Sequence, residues 1–155
     1  MTTFEQATAP LKKFADFKGR ASRSEFWTFL IFVLIAQAAA RLVDAMLFRT
    51  GMMPGPIAGL TGLLLFIPQV AVTVRRLHDV NKSGKELVVP LVMLFATPLV
   101  AFAAMSGFIG RIIILGYAGL VLLVFAGLLT SLIKKGSNIP NKYGAAPTAF
   151  TFGKI

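Results

Sequence analysis

His78 and Asp79 are adjacent in the stretch TVRRLHDVNKSGKE, closely preceded by Arg75 and Arg76. A histidine beside a carboxylate is a pairing suited to general acid–base work, and guanidinium groups fork onto phosphate. Helical register weighs against the first use. Neighbouring side chains on a helix point roughly 100° apart, which places Asp79 poorly for orienting His78. Asp79 is i,i+4 from Arg75 and i,i+3 from Arg76, so it is the better partner for an arginine. No nucleophile is obvious nearby, Ser83 apart. Three readings compete for this cluster: a structural elbow that anchors the chain by its charge, a seat for an anionic headgroup or an acidic partner segment, and a reaction centre at His78 acting on lipid headgroups.

Other polar residues stand inside apolar runs. Arg41 and Asp44 are i,i+3 on one expected helix and can pair on one face. Arg41 lies roughly 22 Å along the helix from Phe26, near the outer boundary of a bilayer. The pair reads as self-neutralised and snorkelling, or as a gate. Gln37 and Gln69 read as interhelical glue, or as part of a solute path in an oligomeric transporter or channel subunit. With no cysteine and one histidine, thiolate and multi-histidine metal sites are excluded within one chain. No cofactor is expected.

The elements that must carry these residues follow from composition. The chain has 155 residues, 56% hydrophobic and 14% charged, against about a quarter charged in soluble domains. Its apolar residues fall in long runs at about 26–47, 57–74, 87–104 and 112–133. Each is near the ~20 residues that cross a ~30 Å hydrocarbon core. Ser22-Arg23-Ser24-Glu25 fits a capping box before the first run, and Trp27 falls at an interfacial position. Pro68, Pro90 and Pro98 lie within spans, where kinks are expected. Ala36-x-x-x-Ala40 and Ala58-x-x-x-Gly62 suit close helix packing. Asn81 to Gly84 reads as the turn that ends the second helix, with Gly84 free to take positive φ.

The net charge of +10 would suggest nucleic acid in a soluble protein. Here no soluble basic domain remains once the spans are removed, so the cations are read as membrane orientation and no nucleic-acid partner is expected. Thirteen Lys and Arg flank the spans on one side, in the N-terminal segment, the 75–86 loop and the tail; Arg49 and Arg111 flank the other. Both termini are therefore expected in the cytoplasm. Residues 26–40 also have the look of a signal peptide ending in AQAAA, but the preceding segment is long and carries Glu5, Asp16 and Glu25, so an uncleaved anchor is expected. Phe14 and Phe17 among Lys12, Lys13, Lys18 and Arg20 suit a short segment lying on the membrane face. The 134–155 tail is too short for a second domain.

FADFKGRASRSEFW, VRRLHDVNKSG and NKYGAAP together resemble the small bacterial inner-membrane proteins of the YhaH type, a family catalogued as a domain of unknown function. The resemblance runs from about Phe14 to Pro147 and is most specific at Arg75, Arg76, Leu77, His78, Asp79, Ser83 and Gly84. Phe17, Gly19, Arg20, Arg23, Glu25, Phe26 and Trp27 match at the front, and Asn141, Tyr143 and Gly144 at the end. Lys85 stands where the family typically has tryptophan, and Ile139-Pro140 replaces part of a glycine-rich approach. The resemblance implies a bacterial inner-membrane location and brings no reaction. It also implies that the three segments meet, with Glu25 and Asp79 forming an ion-pair layer with Arg20, Arg23, Arg75 and Arg76.

The expectation is thus one all-α, polytopic membrane domain over residues 1–155: a four-helix transmembrane bundle with a short N-terminal interfacial segment. The leading functional reading is a non-catalytic module. It would bind anionic lipid headgroups, or a protein partner or second copy, through Arg20, Arg23, Arg75, Arg76 and His78.

Overall fold

Each long apolar run forms a helix, the conformation that satisfies its backbone groups within one segment and so suits a bilayer. The computed structural model describes residue 8 and residues 10–49, 55–105 and 107–147. In it α1 spans Arg23–Phe48, α2 Pro56–Asp79, α3 Val88–Ala103 and α4 Phe108–Ile133, with a 3-10 turn at Gly84–Leu87 leading into α3. Counting that turn with α3, all four are long and apolar enough to cross a membrane. Among the described residues the only extended pairing is an isolated bridge between Asn141 and Gly144. The end of the tail, including Lys154, lies outside the described residues.

Two hairpins make up the bundle. α1 packs along α2 and α3 along α4; the hairpins meet where α2 touches the 3-10 turn and α4. The α1–α2 approach is close because small residues face it. Ala40 and Ala58 are buried, and a Cβ on Gly62 would lie 3.0 Å from Gln37 Nε2. Tyr117 ties α4 to α3 by donating to the Met93 carbonyl, which also accepts from Thr97 Oγ1 at 2.9 Å, just before Pro98. Pro90 falls in the first turn of α3, where a missing N–H costs little.

The buried core gathers at one end. Ala21, Phe26, Phe29, Val72, Leu77, Leu87 and Leu132 form it, with Trp27 partly buried against it. None of the most apolar stretch of α4 is buried, as expected of a surface solvated by lipid tails. α2 continues past the end of its apolar run at Val74 to Asp79, which carries its charged residues on regular helix, as the turn read at Asn81–Gly84 requires.

The turn after α2 departs from expectation in one detail. Asn81, at φ 60°, takes the left-handed conformation, and Gly84 is not among the positive-φ glycines. Asparagine tolerates that region better than most residues. Gly84 is required for space instead: a Cβ there would lie 2.7 Å from Val74 Cγ1.

Candidate functional site

The polar end of the bundle is built by three chain segments converging on the last turn of α2. Asp79 is its centre. Its Oδ1 accepts from Arg20 Nε at 3.0 Å and Arg20 Nη2 at 2.8 Å, and its Oδ2 accepts from Arg76 Nη1. Of the two arginines that spacing allowed, Arg76 takes Asp79. Arg75 turns to Glu25, with Nη2 3.3 Å from Oε1. That contact is close enough for ionic attraction but out of line for a hydrogen bond, and the buried Arg75 guanidinium nitrogens have no hydrogen-bond acceptor among the described residues.

The remaining guanidinium donors meet the chain leaving α4. Arg76 Nε donates to the Leu132 carbonyl at 3.1 Å and Nη2 to Lys134. These donors serve carbonyls at the C-terminal end of α4, where intrahelical partners run out and positive charge is favoured. Arg20 Nη1 donates to Ile139 at 2.9 Å and Nη2 to Ser137. The Ser137 N–H returns to the Asp79 carbonyl at 3.1 Å. Arg20, Arg76 and Asp79 thus staple the N-terminal segment, α2 and the tail together.

His78 binds the same three pieces. Its Nδ1 lies 3.1 Å from the Gly19 carbonyl, which can only accept, so Nδ1 carries the proton. Its ring stacks on Tyr143 with centroids 3.8 Å apart and planes 4° from parallel. Asn141 Nδ2 donates to its carbonyl at 2.9 Å. The NKYG stretch is a tight turn: Asn141 and Gly144 exchange backbone hydrogen bonds at 3.1 and 2.9 Å, and Gly144 takes φ 127°, a value suited to glycine. Asp79 makes no hydrogen bond to His78. Ser83 Oγ accepts from Lys85 N–H at 3.3 Å, as a cap of the 3-10 turn. The arrangement supplies cohesion between segments and no oriented acid–base pair.

The start of α1 shows half of the expected capping box. Ser22 Oγ accepts from the Glu25 N–H at 3.1 Å, while the Glu25 side chain faces Arg75. Of the side chains expected to meet a headgroup or partner, Arg20, Arg75 and Arg76 are buried, at 8%, 1% and 0% exposure. Arg23 is exposed and outside the ion pairs, and His78 is half-buried. Arg20 and Arg76 cannot leave their internal acceptors, nor Arg75 its Glu25 partner, without breaking the layer.

The expected Arg41–Asp44 pair does not form. Asp44 is fully buried and accepts from the Ile57 N–H at 3.0 Å and the Ala58 N–H at 2.7 Å. It caps α2 from a neighbouring helix, because Gly55 at the N-cap has no side chain to do so. Arg41 is exposed. Gln37 lines the α1–α2 contact, and Gln69 Oε1 is buried without a hydrogen-bond partner among the described residues. No described cluster of three or more His, Cys, Asp or Glu has metal-site geometry.

Gly136 was not singled out by sequence reasoning, yet it is essential to the clasp. A Cβ there would lie 2.5 Å from Asp79 Cγ and nearer still to Oδ2. Gly136→Ala is expected to push the tail off Asp79 and destabilise the folded protein by about 1–3 kcal/mol, the range for overpacking. Unfolding of the detergent-solubilised variant checks this, with Gly127→Ala as the control because its Cβ meets open space.

A helical bundle with four membrane-crossing segments and an interlocked charged end defines a multi-pass membrane protein. The chain belongs to the family described as "Protein of unknown function (DUF805)", whose model matches residues 14–145. It is similar to "Inner membrane protein YhaH" of Escherichia coli (strain K12), at 37% identity over 75 residues, 48% of this chain and 62% of that relative. It is also similar to "Inner membrane protein YhaI" of the same strain, at 29% identity over 137 residues, 88% of this chain and 90% of the relative. No solved structure matches the chain.

Proposed function

We propose that this protein is a non-catalytic inner-membrane module whose polar end faces the cytoplasm and docks anionic lipid headgroups. The observation that carries the reading is how charge is divided at that end. The carboxylates of Glu25 and Asp79 are consumed internally by Arg20, Arg75 and Arg76. Lys12, Lys13, Lys18, Arg23, Lys134 and Lys135 remain exposed around them. The buried arginines are the frame and the exposed cations are the binding surface. A cavity of about 230 Å³, lined among others by Ser22, Arg23, Ser24, Lys135 and Asp79, whose carboxylate Arg20 and Arg76 neutralise, opens within this surface at the start of α1. The relatives' names support an inner-membrane location, and the excess of cations at this end supports the cytoplasmic orientation.

Phosphatidylglycerol is expected to raise the melting temperature of the detergent-solubilised protein more than phosphatidylcholine does. Neutralising Lys134 and Lys135 to glutamine should remove about 1 kcal/mol of that preference per cation and leave lipid-free melting unchanged. Equal stabilisation by both lipids, or an undiminished preference in the variant, would refute the reading. A proton-coupled transporter draws less support, since the carboxylate of Asp44 is engaged as a helix cap.

A further inference from the structure

The opposite end of the bundle has its own charge imbalance. Arg41, Arg49 and Arg111 lie toward it and are exposed. Asp44 is the carboxylate at this end, and it is buried on the α2 amides. The sequence of the two connections there, residues 50–55 and 104–107, contains no acid. Arg41 has no hydrogen bond or ion pair with any described residue. It sits seven residues before the end of α1 at Phe48, roughly 10 Å below that end. An uncompensated guanidinium at that depth is costly unless an anion reaches it.

Beside Arg41 runs a groove of about 400 Å³ across α2, with α1 on one flank and α3 on the other. It exists because Gly59 and Gly62 give α2 no side chain there. A Cβ on Gly59 would meet nothing within 4 Å. The lining is ordered by depth. Arg41 is at the outer end, and Gln37 is one turn inward on the same face of α1. Phe66 and Phe95, edge-to-face with centroids 5.9 Å apart, lie toward the midplane. Cation, amide donor and apolar floor repeat the order of phosphate, ester carbonyl and acyl chain in a phospholipid.

We infer that this groove is a binding site for one anionic phospholipid of the leaflet opposite the basic layer, its phosphate on Arg41 and an acyl chain along Gly59, Gly62 and Phe66. The charge complementarity selects an anionic lipid, and the depth of the apolar floor selects a lipid over a free phosphate. This site is separate from the headgroup surface proposed above, so each can fail alone.

The test is photolabelling of the full-length protein in nanodiscs with diazirine-tailed phosphatidylglycerol or phosphatidylcholine, the adducts mapped by mass spectrometry. Adducts within 37–66 and at Leu94 or Phe95 are expected, with phosphatidylglycerol preferred. Arg41→Gln should cut that preference about fivefold, the equivalent of about 1 kcal/mol for one cation near the surface. Arg41→Lys should keep most of it. Gly59→Leu should fill the groove and reduce labelling by both lipids. Excess glycerol phosphate should not compete. Equal labelling of the groove by the two lipids, an unchanged preference in Arg41→Gln, undiminished labelling in Gly59→Leu, or full competition by glycerol phosphate would each overturn the inference.

Discussion

Replacing Asp79 by alanine is expected to cost on the order of 3–5 kcal/mol, the range for removing one partner of a buried ion pair. The loss is concentrated because one carboxylate serves two guanidinium groups, those of Arg20 and Arg76, which are 8% and 0% exposed. Without it two buried cations face each other across the polar end. Asp79→Asn should fare little better, because it keeps a hydrogen-bond acceptor but removes the charge that offsets both arginines. The readout is folded yield from native membrane and unfolding of the solubilised protein in a denaturing-detergent titration. The two-to-one pairing also decides which charge swap can be rescued. Exchanging Asp79 with Arg76 leaves the new arginine opposite Arg20, so no recovery is expected. Exchanging Glu25 with Arg75 preserves a one-to-one pair and should recover part of the yield lost by either single reversal. Alanine at Asp79 with undiminished stability would mean that the layer is not what holds the segments together.

The sequence made the membrane helices readable because hydrocarbon imposes a length and a composition on any segment that crosses it. It was less informative at helix ends. Hydropathy marks where lipid stops and not where a helix stops, which is why α2 runs on to Asp79. Spacing along α2 allowed Asp79 either Arg75 or Arg76. The choice is made by residues distant in the chain: Arg20 arrives from the N-terminal segment, and Glu25 stands opposite Arg75. The stacking of Tyr143 on His78 and the fit of Gly136 against Asp79 depend on where α4 delivers the tail, which no local pattern encodes. Arg20, Arg75 and Arg76 look like a docking surface in the sequence because cations near spans usually face water or headgroups. The burial of Arg20 and Arg76 follows from a demand that composition does not reveal, since the end of α4 and the tail present carbonyls that need donors.

Asp44→Ala is the second large expected effect, a loss of about 2–3 kcal/mol. Its carboxylate satisfies two N–H groups of α2 inside the bundle, and an unsatisfied buried donor costs about 1–3 kcal/mol. The i,i+3 spacing to Arg41 suggested a different partner, and the overlooked signal was Gly55. An N-cap without a side chain leaves the first amides of α2 to be met from elsewhere. Gly55 also makes room for this arrangement, since a Cβ there would lie 2.5 Å from Asp44 Cγ. Asparagine keeps one of the two acceptor oxygens and presents an amide N–H where the other stood, so Asp44→Asn should retain only part of the stability. The difference between the two variants separates a capping role from a role in moving charge. A solute path that titrates Asp44 would be disabled equally by both substitutions, whatever their stability. A two-oxygen cap predicts that Asp44→Ala melts well below the parent protein and that Asp44→Asn, with one acceptor left, also melts below the parent. If Asp44→Ala unfolds no more readily than the parent protein, the capping account fails.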